Sequence, residues 1–240
     1  DTCKVRLGRD IYEDRDLNKY NLIISNNTDV YLDLNGYDLS RYGETTDNAM
    51  FYINDGKLTI DDSKGSGHTG RITWNNSDKS TPVFYVLNPD PSNETVLEPS
   101  DASTKLTVNG GRIWTETKAD GPVFMVYGDT VINGGEFKGG TCTLEQPEYL
   151  TNLTINGGEF LSPFDQDAST MLLHSAYGDF IFNGGIVYGT IEFPERGTDL
   201  KNHLGSGVNV YINSTLMNLE KDREYYYSGK LTGHPIEFER

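Results

Sequence analysis

Leu106-Thr-Val-Asn-Gly-Gly-Arg-Ile113 is followed by Val131-Ile-Asn-Gly-Gly-Glu-Phe137 and then by Leu153-Thr-Ile-Asn-Gly-Gly-Glu-Phe160. One phrase is written three times. Asn109, Asn133 and Asn156 hold the same place in each copy, so the period is 24 and then 23 residues. A fixed period of this size marks a repeat architecture. Each copy alternates apolar and polar residues, favours Val, Ile, Thr and Phe, and breaks at Gly-Gly, which predicts a strand ending at a tight corner. The repeats are therefore read as strands of a solenoid and not as helix pairs.

The phrase extends both ways, through Leu32-Asp-Leu-Asn-Gly36, Leu58-Thr-Ile-Asp-Asp62, Phe180-Ile-Phe-Asn-Gly-Gly185 and Val210-Tyr-Ile-Asn213. The expected marker column is Asn35, Asp61, Asn109, Asn133, Asn156, Asn183 and Asn213. The step from Asp61 to Asn109 is 48 residues long. It is read as one coil with an excursion over 87–103, because Pro89, Pro91 and Pro99 stand there among Asn, Asp, Ser and Glu. A second strand precedes the phrase at Ala49–Ile53, Pro82–Val86, Pro122–Val126 and Met171–His174. A third follows the glycines at Arg71–Thr73, Arg112–Trp114, Glu136–Lys138 and Glu159–Leu161.

Three short strands per coil predict an all-β fold, a single-stranded parallel β-helix of about seven to eight coils with capped ends. The expected inward set is Leu58, Ile60, Leu106, Val108, Leu153, Ile155, Phe180 and Phe182, continued by Ile72, Ile113, Phe137, Phe160 and Val187. Stacked Asn side chains bond to one another along a ladder, and Asn also tolerates left-handed backbone. The Gly pairs supply positive φ at the corner. No Gly-Lys-Ser/Thr follows them, so they are not a phosphate cradle.

By organisation, 1–30 reads as an N-terminal cap with first strands, 31–215 as the β-helix, and 216–240 as a C-terminal cap or the start of a linker. Smaller loops are expected at Gly139–Tyr149, Ser162–Ser169 and Phe193–Gly205. Glu224–Tyr227 and Pro235–Phe238 read as a closing hairpin or the way into a further domain. The abrupt start at Asp1 suits a processed or excised fragment of a larger multidomain protein.

The 240 residues carry a formal net charge of −16, which argues against nucleic acid and anionic membranes as partners. No apolar run reaches the roughly 18 residues of a membrane span. Few Lys and Arg, 15 Tyr and abundant Asn, Thr and Gly suit a secreted or surface β protein. Cys3 and Cys142 fall several coils apart, beyond disulfide reach, and are expected as free thiols. Sequons begin at Asn26, Asn75, Asn93, Asn152 and Asn213.

Several chemical motifs fail on spacing. Asn27-Thr-Asp29, Asp61-Asp62, Gly67-His68 and Arg71-Ile72 follow the motif order of polygalacturonases. Those motifs must stack on successive coils, yet here Asp62, His68 and Arg71 crowd into one turn. Asp165, Asp167 and Glu192 make a partial Ca²⁺ set that lacks the Gly and distal Glu of a calcium loop, so no cofactor is expected beyond a weak case for Ca²⁺. His68, His174, His203 and His234 lack metal-ligand spacing, and His174 is read as a core residue in the column of Ile53, Val86 and Val126. The favoured surface is the outward side of the third strand. One column there is Arg71, Arg112, Glu136, Glu159 and Ile186; the next is Thr73, Trp114, Lys138, Leu161 and Tyr188. Aromatic faces stack on sugars while charged neighbours bind hydroxyls or carboxylates. Arg112, Trp114, Glu136, Lys138, Glu159 and Tyr188 are therefore the candidate glycan face.

Asn27-Thr-Asp-Val-Tyr-Leu-Asp-Leu-Asn-Gly-Tyr-Asp-Leu39, with the repeated Leu-Thr-Ile-Asn-Gly-Gly-x-Phe, resembles pectate-lyase-like right-handed β-helix domains in secreted and surface proteins of Gram-positive and gut bacteria. The resemblance covers roughly 20–215 and carries no catalytic residue across. It implies a right-handed helix and an extracellular location, secreted or attached to the cell wall. It also implies a non-catalytic adhesion or glycan-binding module whose partner is a glycan or a cell-surface protein. The alternative is a polysaccharide lyase or glycoside hydrolase with an unrecognised site.

Overall fold

The computed structural model describes residues 2–12, 22–42, 49–64, 67–76, 80–87, 104–117, 120–146, 152–174 and 179–240. The expected excursion, apart from Leu87, and the sequon at Asn93 lie outside the described residues. Strands come in groups of three along the chain. The first group is β1 (Thr2–Arg6), β2 (Ile11–Tyr12) and β3 (Leu22–Ile24). Next come β4 (Thr28–Asp33), β5 (Asp38–Tyr42) and β6 (Phe51–Ile53), then β7 (Gly56–Asp61), β8 (Arg71–Asn75) and β9 (Phe84–Val86). The middle holds β10 (Lys105–Val108), β11 (Arg112–Thr115) and β12 (Phe124–Val126), then β13 (Asp129–Ile132), β14 (Glu136–Lys138) and β15 (Leu144–Gln146). After β16 (Asn152–Ile155), β17 (Glu159–Phe160) and β18 (Met171–Leu173), the series closes with β19 (Asp179–Phe182) and the long β20 (Gly185–Glu192).

Each member of a group pairs in parallel with its counterpart in the next. The first stack runs β1-β4-β7-β10-β13-β16-β19, the second β2-β5-β8-β11-β14-β17-β20, and the third β3-β6-β9-β12-β15-β18-β20. β20 is long enough to serve both the second and the third stack. These long parallel stacks fit a β-solenoid. β7 pairs directly with β10, Leu58 beside Leu106, so the 48-residue step spans one group.

The alternating pattern explains the core. Leu58, Ile60, Leu106, Val108, Leu153, Ile155, Phe180 and Phe182 are all buried, as are Ile72, Ile113, Phe137, Phe160 and Val187. On the third stack Phe51, Phe84 and Phe124 stack ring on ring, with centroids 5.2 and 5.5 Å apart. Phe137 then meets Phe124 edge-on and lies tilted against Phe160, each at 5.0 Å.

The asparagine ladder forms at the end of the first stack. Asn133 Nδ2 donates to Asn109 Oδ1 at 2.8 Å, Asn156 to Asn133 at 2.7 Å, and Asn183 to Asn156 at 2.8 Å. The ladder asparagines do not take left-handed backbone; the second glycine of each pair does, with φ of 94° at Gly111, 122° at Gly135, 106° at Gly158 and 115° at Gly185.

Two expected members leave the column. Asp33, not Asn35, pairs with Asp61, and Asn35 turns the chain two residues later with φ of 53°. Asn213 sits in an antiparallel hairpin between β21 (Asn209–Ile212) and β22 (Thr215–Leu216). His174 also leaves its expected column: Gln146 and Leu173 pair at that position, and His174 lies one residue beyond. The expected loop at Gly139–Tyr149 contains strand β15.

The C-terminal end differs from the expected hairpin as well. Arg223–Tyr227 is a short helix, α1, and Lys230–Glu239 is a strand, β23, antiparallel to both β20 and β21. Leu231, Ile236, Phe238 and Tyr226 are buried there, covering the last group. Cys3 is exposed and Cys142 buried, and both are free. Burial pushes the Cys142 thiol far up, with the Glu145 carboxylate adding to it.

Candidate functional site

The second stack carries the candidate surface because its outward residues repeat in register. Arg71, Arg112 and Glu136 stand side by side, followed by Glu159 and Ile186. Thr73, Trp114 and Lys138 form the neighbouring column. Leu161 continues it, its amide donating to the Phe137 carbonyl, and Tyr188 stands half-buried next along. Both columns run on toward the N-terminus. Asp38 precedes Arg71, and Tyr12 and Ser40 precede Thr73. The sequence around Tyr12 hid this: β2 has two residues and follows a single glycine, Gly8, without the Gly-Gly pair that marks the later corners.

An open groove of about 640 Å³ lies across this surface. Among its lining residues Tyr12, Ser40, Thr73 and Trp114 form one ladder. Tyr42, Arg71, Thr115, Glu116 and Thr117 also line it, together with Phe164 from the loop after β17. Tyr12 is 65% exposed. Desolvation, followed by the carboxylates of Asp10 and Asp38, raises its phenol above the ordinary value, so it stays a hydroxyl at neutral pH. Trp114 Nε1 is buried and has no hydrogen-bond partner among the described residues.

The cations at this surface already have partners. Arg71 bridges Asp38 at 2.8 Å and Arg112 bridges Glu136 at 2.9 Å. The Arg112 guanidinium also lies 5.1 Å from the Trp114 ring centre, and Lys138 Nζ lies 4.1 Å from that of Phe164. Such contacts fix the aromatic rings as well as the cations. Of the six expected glycan residues, Trp114 lines the groove. Arg112, Glu136 and Lys138 adjoin it, while Glu159 and Tyr188 lie farther along the same ladders.

Several of the residues weighed for catalysis or metal are engaged in hydrogen bonds within the fold. Asp62 accepts from the amides of Gly36 at 2.7 Å and Gly70 at 2.8 Å, and Asp61 accepts from the Tyr31 hydroxyl. Asp165 accepts from the Asp167 amide at 3.2 Å, and Glu192 accepts from Ser169 at 2.8 Å and meets Lys230 at 3.4 Å. Among the described residues no three His, Cys, Asp or Glu side chains gather in a way that would hold a metal ion.

One cluster was not foreseen. On the outward side of the third stack, Glu145 follows Met125, Tyr85 and Tyr52. Burial raises its carboxyl, and nearby His174 lowers it in part. His174 Nδ1 is 2.8 Å from Glu195 Oε1. A glutamate between Met125 and Leu172, in a column that ends at Glu192, is the signal that would have found it.

Comparison of the chain with protein-family models, with curated proteins and with solved structures found no match.

Proposed function

We propose that this chain is a right-handed parallel β-helix of seven coils that serves as a non-catalytic glycan-binding module. In this reading it is the extracellular part of a bacterial surface protein of pectate-lyase-like architecture, within a larger multidomain polypeptide. The observation that carries the proposal is the groove over the second stack, whose lining presents Tyr12, Tyr42, Trp114 and Phe164 beside hydroxyls. Aromatic rings offer an apolar face with a polar handle, and pyranose rings offer the complementary C–H face and hydroxyl rim. A groove with a few convergent polar groups is the usual form of a ligand site.

Trp114→Ala should remove most glycan binding on an array while leaving the circular dichroism spectrum unchanged. Binding that survives the substitution would move the site off this groove.

The Glu145–His174–Glu195 cluster favours a second reading, a lyase or hydrolase. A carboxyl raised by burial beside a histidine is a recurrent feature of acid–base sites. Shortening of pectin, alginate or a glycosaminoglycan that stops in Glu145→Gln would establish that reading; turnover unaffected by Glu145→Gln would place the catalyst elsewhere.

A further inference from the structure

We infer that the groove takes an uncharged oligosaccharide laid across the strands, along the direction in which they stack, and not a polyuronate or another polyanion. The inference rests on the glycan reading above and adds the class and the pose of the ligand. Charge pairing is the first argument. An anionic chain needs free cations, and both arginines at this surface are spent, Arg71 on Asp38 and Arg112 on Glu136; Lys138, held over the Phe164 ring, is a single cation against a chain of charges. Pulling either arginine from its carboxylate to serve a uronate would trade one ion pair for another and leave Asp38 or Glu136 facing the ligand. The net charge of −16 adds long-range repulsion against any polyanion.

The second argument concerns the neutral groups. The groove lining also offers the hydroxyls of Ser40 and Thr73 and the Tyr12 phenol, which is held by Asp10, while Trp114 contributes its ring and keeps Nε1 buried. These neutral groups pair with sugar hydroxyls, whereas a carboxylate among them would lack a compensating cation. Stack geometry gives the pose. Tyr12 and Trp114 belong to one ladder, three strand steps apart through Ser40 and Thr73. At about 4.8 Å per step they are roughly 14 Å apart along the stack. One sugar ring cannot touch both; a short chain running across the strands does.

Calorimetric titration of the whole chain tests this, using neutral β-1,4-gluco- and manno-oligosaccharides of increasing length against oligogalacturonates, at low and high salt. Neutral chains should bind, tighten with length until both aromatics are covered, and change less than about twofold with salt, because no charge is neutralised. Tyr12→Ala, on an exposed ring that the core does not need, should weaken long neutral chains about tenfold and leave disaccharides unaffected. Oligogalacturonates that bind more tightly than the neutral chains, with affinity collapsing in salt, would overturn the inference and leave the glycan reading standing. Equal loss for short and long chains in Tyr12→Ala would overturn the pose. No binding by either set, confirmed on a wider array of neutral and acidic glycans, would overturn both readings.

Discussion

A Cβ at Gly157 would lie 2.7 Å from the Asn133 carbonyl oxygen, and one at Gly184 would lie 2.6 Å from that of Asn156. In these two pairs the first glycine is thus required by the neighbouring strand group, whereas a Cβ at Gly110 meets nothing nearer than 3.9 Å; the second glycine of each pair is required by its own backbone. Gly158 combines both limits, with φ of 106° and a virtual Cβ 2.9 Å from the Phe137 ring. Gly207 has φ of 78° but open space. Gly158→Ala should therefore cost more than Gly207→Ala, with a loss well above about 1 kcal/mol in chemical denaturation. Equal costs would show that backbone strain alone matters. Asp33 offers a test by pH. Burial alone would raise its carboxyl, but hydrogen bonds from Ser63 and Asn35, with the Arg6 charge, hold it below the ordinary 3.8. A depressed carboxyl stabilises the fold above its unfolded-state value and loses that contribution as pH falls through the folded-state value. Asp33→Asn should be destabilised by about 2 kcal/mol at neutral pH, and its gap from the parent should close as pH falls below about 4. A gap that stays constant down to pH of about 2 would contradict the assignment.

At the scale of strands, the first and second stacks were legible because alternation and Gly-Gly corners mark them directly. The errors have physical causes. Shifting a strand by two residues keeps every side chain on its own face, so the hydrophobic pattern could not separate Asp33 from Asn35 as the marker. Val210–Asn213 repeats the phrase, yet its Asn213-Ser214 turn takes left-handed backbone at both residues and folds a hairpin instead. Strand β15 was concealed because Gln146, a polar residue, is fully buried at an inward position. On the candidate surface, the two ladders that start at Arg112 and Trp114 were readable by register. The groove itself was not, since Tyr12, Tyr42 and Phe164 reach it from a strand without a Gly-Gly corner, from the end of β5 and from a loop. The functional prediction sits at this scale: Trp114→Ala should remove most glycan binding through one side chain, without loss of the second stack.

Across the whole molecule the two ends differ. At the N-terminal end the inward residues Val5, Ile11 and Leu22 remain 42%, 36% and 42% exposed, though they continue buried columns through Leu32, Leu39 and Phe51. The opposite end is closed by β23 and α1, with Tyr226, Leu231 and Ile236 fully buried. Opening should therefore begin at the first group. In native-state hydrogen exchange, amides of β1–β3 should exchange first and those of β13 and β16 last; uniform protection from end to end would contradict this. The account as a whole depends on parallel strands stacked in one register, since that register builds both the ladder and the groove. The direct measurement is disulfide capture on the first stack in a Cys3→Ser background. Thr107 pairs with Val131, and Val131 with Thr154. Oxidised Thr107→Cys/Val131→Cys should form the bridge, because paired positions lie within the roughly 4.4–6.8 Å that a disulfide spans. Thr107→Cys/Thr154→Cys should not, because two strand steps separate those positions by roughly 9.6 Å. A bridge in the second variant and none in the first, read by mass spectrometry of the linked peptides, would contradict the stacking register.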